Sequence, residues 1–182
     1  MKDGHAKVAG ETITFQFKGK SGIRHAVDVR DRRLARAVKA CRDLPGYELF
    51  QYVDADQRRH SIGSGDVNAH LRAISGDEFT AKDFRTWAGT VSAAVELARQ
   101  PAFRSAAHAR RNVVAAIDVV ARRLGNTKAV SRKCYIHPAV IDAYLEGSVI
   151  SVARTKTARA GGLSAEERAV VRLLESRLRK AA

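Results

Sequence analysis

Residues 12 to 29 read TITFQFKGKSGIRHAVDV, two alternating runs that meet at a glycine-flanked turn. Ile13, Phe15 and Phe17 stand opposite Thr12, Thr14, Gln16 and Lys18, and a period of two marks a half-buried strand. After Gly19-Lys20-Ser21-Gly22 the alternation resumes through Ile23, His25, Val27 and Val29. Two such runs joined by a tight, glycine-containing turn form an antiparallel hairpin, and this one carries Lys20 at its tip. Lys7–Ala9, ahead of Gly10-Glu11, reads as one more strand, so the chain opens on a small antiparallel sheet.

Past Asp31 the period changes to that of a helix. Leu34, Ala37, Val38 and Cys41 fall at helical spacing behind Asp31 as N-cap, and Pro45-Gly46 ends the element. Leu49 to Val53 and His60 to Ile62 read either as a second short hairpin or as irregular chain. Asp66 is expected to cap a helix running through Ile74, and Thr80-Ala81-Lys82-Asp83 has the form of a capping box opening a helix over 81–99, which Pro101 stops. A further helix is expected over 104–124, with Val113, Ala116, Ile117, Val120 and Leu124 on one stripe and Gly125 ending it. Thr127 or Ser131 starts a short helix expected to carry Tyr135, and Pro138 suits the first turn of the next, to Leu145. Residues 151–162, SVARTKTARAGG, read as a basic linker, and Ser164-Ala165-Glu166-Glu167 caps a last amphipathic helix within 163–182. A small sheet followed by a helical majority is an α+β arrangement.

Of the 182 residues, 33 are Lys or Arg and 19 are Asp or Glu, a net charge of +14 that asks for a polyanionic partner, most often nucleic acid. With 45% hydrophobic residues and 3 prolines the chain is too apolar for a disordered basic tail, so the charge belongs to a folded surface. The basic residues are dispersed in pairs such as Arg32–Arg33, Arg58–Arg59, Arg110–Arg111, Arg122–Arg123 and Arg132–Lys133, which suits the recurring phosphates of an extended partner as well as it suits solvated helix faces. No apolar run approaches the ~18 residues of a membrane helix, and the N-terminus has no apolar signal region, so neither membrane nor secretion is expected. Cys41 and Cys134 cannot make a disulfide framework or a four-thiolate metal site, and a reducing cytoplasm is the expected compartment.

Several chemistries lack their motifs. His5, His25, His60, His70, His108 and His137 show no HExxH or paired Cys/His spacing, so no metal is expected. Gly19-Lys20-Ser21 matches the end of a phosphate-binding loop, but Thr14 stands where its first glycine belongs, and the segment joins strand to strand. No GxSxG nucleophile elbow is present.

Four further segments fall in a telling order: Phe15-Gln16-Phe17-Lys18-Gly19-Lys20-Ser21-Gly22, then Ala81-Lys82-Asp83-Phe84-Arg85-Thr86-Trp87, then Leu124-Gly125-Asn126-Thr127, then Ser131-Arg132-Lys133-Cys134-Tyr135. Together, with nine residues from Asn126 to Tyr135, they resemble the type IB DNA topoisomerases in their compact bacterial and poxvirus-like form. The resemblance covers most of the chain up to about residue 150, which would be the catalytic domain, with the hairpin region over about 5–30.

What the resemblance implies can be rebuilt from the reaction. A tyrosine oxygen attacks phosphorus to give a 3′-phosphotyrosine link, and the matching position is Tyr135, which the residues alone would leave as a core aromatic. Negative charge then spreads over the phosphate oxygens, and an arginine fork that stays charged suits it; Arg85 matches the family's second catalytic arginine. Asn126 stands where many relatives carry histidine, and its amide offers a hydrogen bond to phosphate but no proton exchange. Lys20 matches the lysine that protonates the leaving 5′-oxygen. Lys18, Arg24, His25, Lys82, Arg132 and Lys133 are candidate phosphate contacts.

The implied activity is relaxation of supercoiled duplex DNA by a monomer, with no cofactor, ATP or metal. One departure stands out: the family uses a further arginine ahead of the first hairpin, in an RxGN-like motif, and residues 1–10 hold no arginine. The family's N-terminal clamp domain is not seen either. Either Met1 lies inside a longer protein or another molecule supplies that segment, and the chain alone is expected to be impaired, since losing one such donor costs ~10²–10³ in rate. A tyrosine recombinase is the enzyme alternative, although Lys82 occupies the place where recombinases usually carry histidine. A DNA-binding fragment without catalysis is the other.

Overall fold

Alternation in residues 6–30 becomes a three-stranded antiparallel sheet in the computed structural model, which describes residues 1–19, 22, 24–151 and 162–181. Strands β1 (Ala6–Ala9), β2 (Thr12–Lys18) and β3 (Arg24–Arg30) lie in that order, with Ala6 opposite Phe15 and Phe17 opposite His25. Lys20 and most of the expected 151–162 linker lie outside the described residues. Ile13 points to the buried face, where it meets Ala6, Leu49, and Ala35 and Val38 of helix α1 (Arg32–Arg42). Asp31 caps α1 as expected: its Oδ1 accepts the amides of Arg33 and Leu34 at 2.7 and 2.9 Å. Those hydrogen bonds, the Leu34 amide first, hold its carboxyl below the usual aspartate range.

The segment left open between hairpin and irregular chain is a hairpin, β4 (Gln51–Val53) paired with β5 (Arg59–Ser61). Helix α2 (Ser64–Ser75) begins earlier than expected. Gly63 is its N-cap, and Asp66 sits in the first turn instead, its Oδ2 accepting the Gly63 amide at 2.8 Å. A carboxylate three residues into a helix serves the N-terminus as well as one at the cap, so the acid's presence alone does not fix which residue caps. Residues Met1–Ala81 form one compact unit.

Lys82–Ala182 forms a second, helical unit. It comprises α3 (Ala81–Arg99), α4 (Ala106–Leu124), α5 (Lys128–Cys134), α6 (Pro138–Leu145) and α7 (Ala165–Ala181). The stripe on α4 is buried as its spacing demands: Val113, Ala116, Ile117 and Val120 pack with Ala93, Ala94 and Leu97 of α3 and with Val140, Ile141 and Tyr144 of α6. Each fully buried aliphatic side chain of this kind is worth roughly 1.5–3 kcal/mol. Gly125 ends α4 at φ 66, a left-handed conformation that glycine adopts without the Cβ penalty. Asn112 is buried in this core, and its amide donates to the Tyr144 hydroxyl at 2.7 Å.

Helix α7 is part of the same core through Ala169 and Val170. Ser164 and Glu167 cap it reciprocally: the Ser164 hydroxyl accepts the Glu167 amide at 3.1 Å and a Glu167 carboxylate oxygen accepts the Ser164 amide at 2.7 Å. Arg177 pairs with Glu146 at 2.7 Å near the other end. The fold is α+β and mostly helical, with small antiparallel sheets. Among the described residues no helix is long and apolar enough to cross a membrane.

Candidate active site

The short helix α5 is bounded by its own sequence at one end and by its surroundings at the other. Thr127 caps it, its hydroxyl accepting the Val130 amide at 3.2 Å. It stops at Cys134, one residue before the tyrosine expected to ride on it. Tyr135 is the C-cap, at φ −130 and ψ 0, with its amide still donating to Ser131 O at 3.0 Å. The next helix starts two residues later with His137 as N-cap and Pro138 at the first position, where a missing amide hydrogen costs nothing. Tyr135 therefore sits at the hinge between two short helices, half-buried.

Arg85, in the second turn of α3, lies against it, with its guanidinium carbon 5.1 Å from the Tyr135 ring centroid. That is within cation–π range. Its Nη2 donates to the carbonyl of Leu124 at 2.9 Å. The Asn126 amide donates to the same carbonyl at 3.4 Å, and its backbone N–H closes the end of α4 on Ala121 O at 2.9 Å. The α4 C-terminus thus gathers Arg85 and Asn126 on one oxygen. Of the four residues expected to be catalytic, Arg85, Asn126 and Tyr135 come together in the second unit, and the fourth, Lys20, is outside the described residues.

Lys82 on the first turn of α3 and Arg132 and Lys133 on the last turn of α5 are exposed, adding positive charge to the elements that carry the trio. In the first unit, Lys18 and Arg24 face each other at the turn end of the β2–β3 hairpin, and the His25 ring stacks on Phe17, centroids 5.1 Å apart at 22°. His5 flanks the other side of Phe17 at 6.4 Å.

Residues 1–159 match the sequence profile of the family described as Eukaryotic DNA topoisomerase I, catalytic core. The chain belongs to the type IB DNA topoisomerases. It is also 30% identical, over 151 residues, to DNA topoisomerase 1B of Acanthamoeba polyphaga mimivirus; the match takes in 79% of this chain and 45% of that protein, so the chain spans about half the length of the relative. That relative is viral, and it lends no support to the bacterial source expected from the motifs.

For this topoisomerase-family domain, some side chains around the tyrosine carry roles that motif reading missed. Gly89 of α3 is buried against the backbone of Tyr135, and Thr90 accepts the His137 amide at 3.1 Å. A glycine inside a 19-residue helix is itself a signal, because it costs about 1 kcal/mol against alanine and is kept where space demands it. Trp87 donates its indole N–H to Glu167 of α7 at 2.9 Å, a pairing across 80 positions that has no local signature.

Proposed function

We propose that this chain is the catalytic domain of an enzyme that relaxes supercoiled duplex DNA by cutting one strand transiently. The Tyr135 oxygen attacks a backbone phosphorus; the bond from phosphorus to the 5′-oxygen breaks as the bond to tyrosine forms, leaving a 3′-phosphotyrosine link and a 5′-hydroxyl. The phenol gives up its proton to water on attack, and the departing oxygen takes one up from a donor that we assign to Lys20 on its motif alone. One ester replaces another, so resealing is the same step reversed and draws on no ATP. Rotation of the free end between the two steps removes supercoils.

The observation that supports this reading best is the Arg85–Tyr135 pairing, with Asn126 held on the Leu124 carbonyl that also anchors Arg85. A planar fork with several N–H donors beside the nucleophile is suited to the oxygens of a phosphate under attack, with Asn126 as an additional neutral donor. These fixed donors take the charge that a metal ion neutralises in other phosphoryl-transfer enzymes, so the proposed step needs no metal. Lys18, Arg24, His25, Lys82, Arg132 and Lys133 would hold the flanking phosphates, which position a duplex without specifying its sequence.

The test is to mix the chain with supercoiled plasmid and quench with detergent. A covalent protein–DNA adduct is expected, and Tyr135→Phe should remove it while binding DNA with nearly the same affinity. An adduct that survives Tyr135→Phe refutes the nucleophile, and no adduct from the unaltered chain at any concentration leaves DNA binding alone.

A further inference from the structure

Helix α3 presents Thr86, Gly89 and Thr90 on one face, three and four residues apart, and each meets the backbone around Tyr135. The Thr86 hydroxyl, which donates to Lys82 O at 3.1 Å, also lies 3.4 Å from the carbonyl of Cys134. Thr90, 2% exposed, accepts the His137 amide at 3.1 Å. Between them the backbone of Tyr135 lies directly on Gly89: a Cβ at residue 89 would overlap the Tyr135 carbonyl oxygen and stand 3.2 Å from both its carbonyl carbon and its Cβ. Residues 134, 135 and 137 are thus each held, from the same helix, from the last residue of α5 to the N-cap of α6.

We infer that Thr86, Gly89 and Thr90 form a seat that fixes the main chain on both sides of the nucleophile, and that Gly89 and Thr90 are positioning residues for Tyr135. The inference rests on the reading of Tyr135 as nucleophile. Tyr135 is half-buried and leaves the helical conformation at its own position, so neither deep burial nor a helix of its own sets the direction of its Cα–Cβ bond. The seat sets it. Arg85 stands one turn before Gly89 on the same helix, so one rigid element places both the nucleophile and the donor that stabilises the charge it creates. A methyl group at position 89 pushes Tyr135 off α3 while Arg85 stays, and separation of that order between reacting groups costs about 10² in rate. Mere packing predicts a different pattern, in which any loss follows stability and not the geometry of attack.

The experiment compares Gly89→Ala, Thr90→Val and Thr90→Ser in the full chain. Three readings are taken: single-turnover cleavage of a duplex, affinity for the same duplex in a Tyr135→Phe background, and hydrogen exchange of the 134–137 amides. Gly89→Ala should slow cleavage about 10²-fold with affinity unchanged. Thr90→Val, equal in shape but without the acceptor, should slow cleavage and speed His137 exchange about tenfold, the worth of one hydrogen bond, and Thr90→Ser should restore both. Wild-type cleavage by Gly89→Ala overturns the seat, as does equal loss in Thr90→Val and Thr90→Ser. If Gly89→Ala does not fold, the Val/Ser pair decides. An unaltered chain that forms no adduct counts against the nucleophile and not against the seat, because His137 exchange in the Val/Ser pair reads the seat without chemistry.

Discussion

The guanidinium of Arg85 lies over the ring of Tyr135, its central carbon 5.1 Å from the ring centroid, while its Nη2 is tied to the carbonyl of Leu124. The two ends of this contact come from α3 and from the α5–α6 junction, 50 positions apart, and the tether comes from the last turn of α4. A guanidinium held by one nitrogen keeps its other N–H groups available for an anion.

Replacing that fork by a point charge should therefore separate charge from geometry. Arg85→Lys keeps the cation but loses the planar fork and its two-point approach to phosphate. Single-turnover cleavage is expected to fall ~10²–10³-fold with duplex affinity little changed. A loss smaller than tenfold would show that net charge alone is what position 85 supplies.

Binding should depend steeply on salt, because each neutralised phosphate releases counterion and lowers the slope of log affinity against log salt by about 0.9. Lys82→Ala, Arg132→Ala and Lys133→Ala remove exposed cations from α3 and α5. Each is expected to make the measured slope shallower by about one, uniformly across duplex sequences. A variant that weakens binding with the slope intact is acting through the fold.

Local signals carried the sheet, the Asp31 cap, the α4 stripe, the Gly125 stop and the Pro138 start, since alternation, helical spacing and turn residues act over a few positions. The misplaced features have two origins, a local choice between neighbouring caps and contacts made far along the chain. Asp66 serves the α2 N-terminus from inside the helix because Gly63 takes the cap. Tyr135 lies past the end of α5, its backbone against Gly89, with Thr90 accepting the His137 amide, contacts made some 45 positions along the chain. The residues of the candidate site were legible as motifs, but their partners were not: Leu124 O, Gly89 and Thr90 act through a backbone atom, an absent side chain and a hydroxyl.

Ser131 gives a prediction of the opposite sign from most core substitutions. Its side chain is fully buried, and Oγ has no hydrogen-bond partner among the described residues. A buried hydroxyl without a partner costs about 1–3 kcal/mol, so Ser131→Ala, which removes it, is expected to leave stability unchanged or to raise it. Denaturant unfolding measures this. A loss of more than 1 kcal/mol, roughly the worth of one hydrogen bond, would mean that the hydroxyl is satisfied.

The Trp87–Glu167 pair makes α7 sensitive to acid. The Ser164 amide, and after it the Trp87 indole and the Ser164 hydroxyl, hold the Glu167 carboxyl below the usual glutamate range. A carboxylate depressed in the folded state contributes stability that is present above its unfolded pKa, near 4.3, and is lost as pH falls through the folded value. Trp87 is the chain's single tryptophan, so its fluorescence reports the surroundings of this contact, core packing included. A transition is expected below about pH 4. Other depressed carboxyls, those of Asp31, Asp54 and Glu146, weaken the fold over the same range, and Glu167→Gln separates them. The amide keeps one acceptor oxygen in place of two, so it retains only one of the Trp87 and Ser164 bonds, but it does not titrate. The Trp87 transition should then follow only the global acid unfolding that the other carboxyls drive. If Trp87 titrates identically in Glu167→Gln, the acid response originates in those other carboxyls.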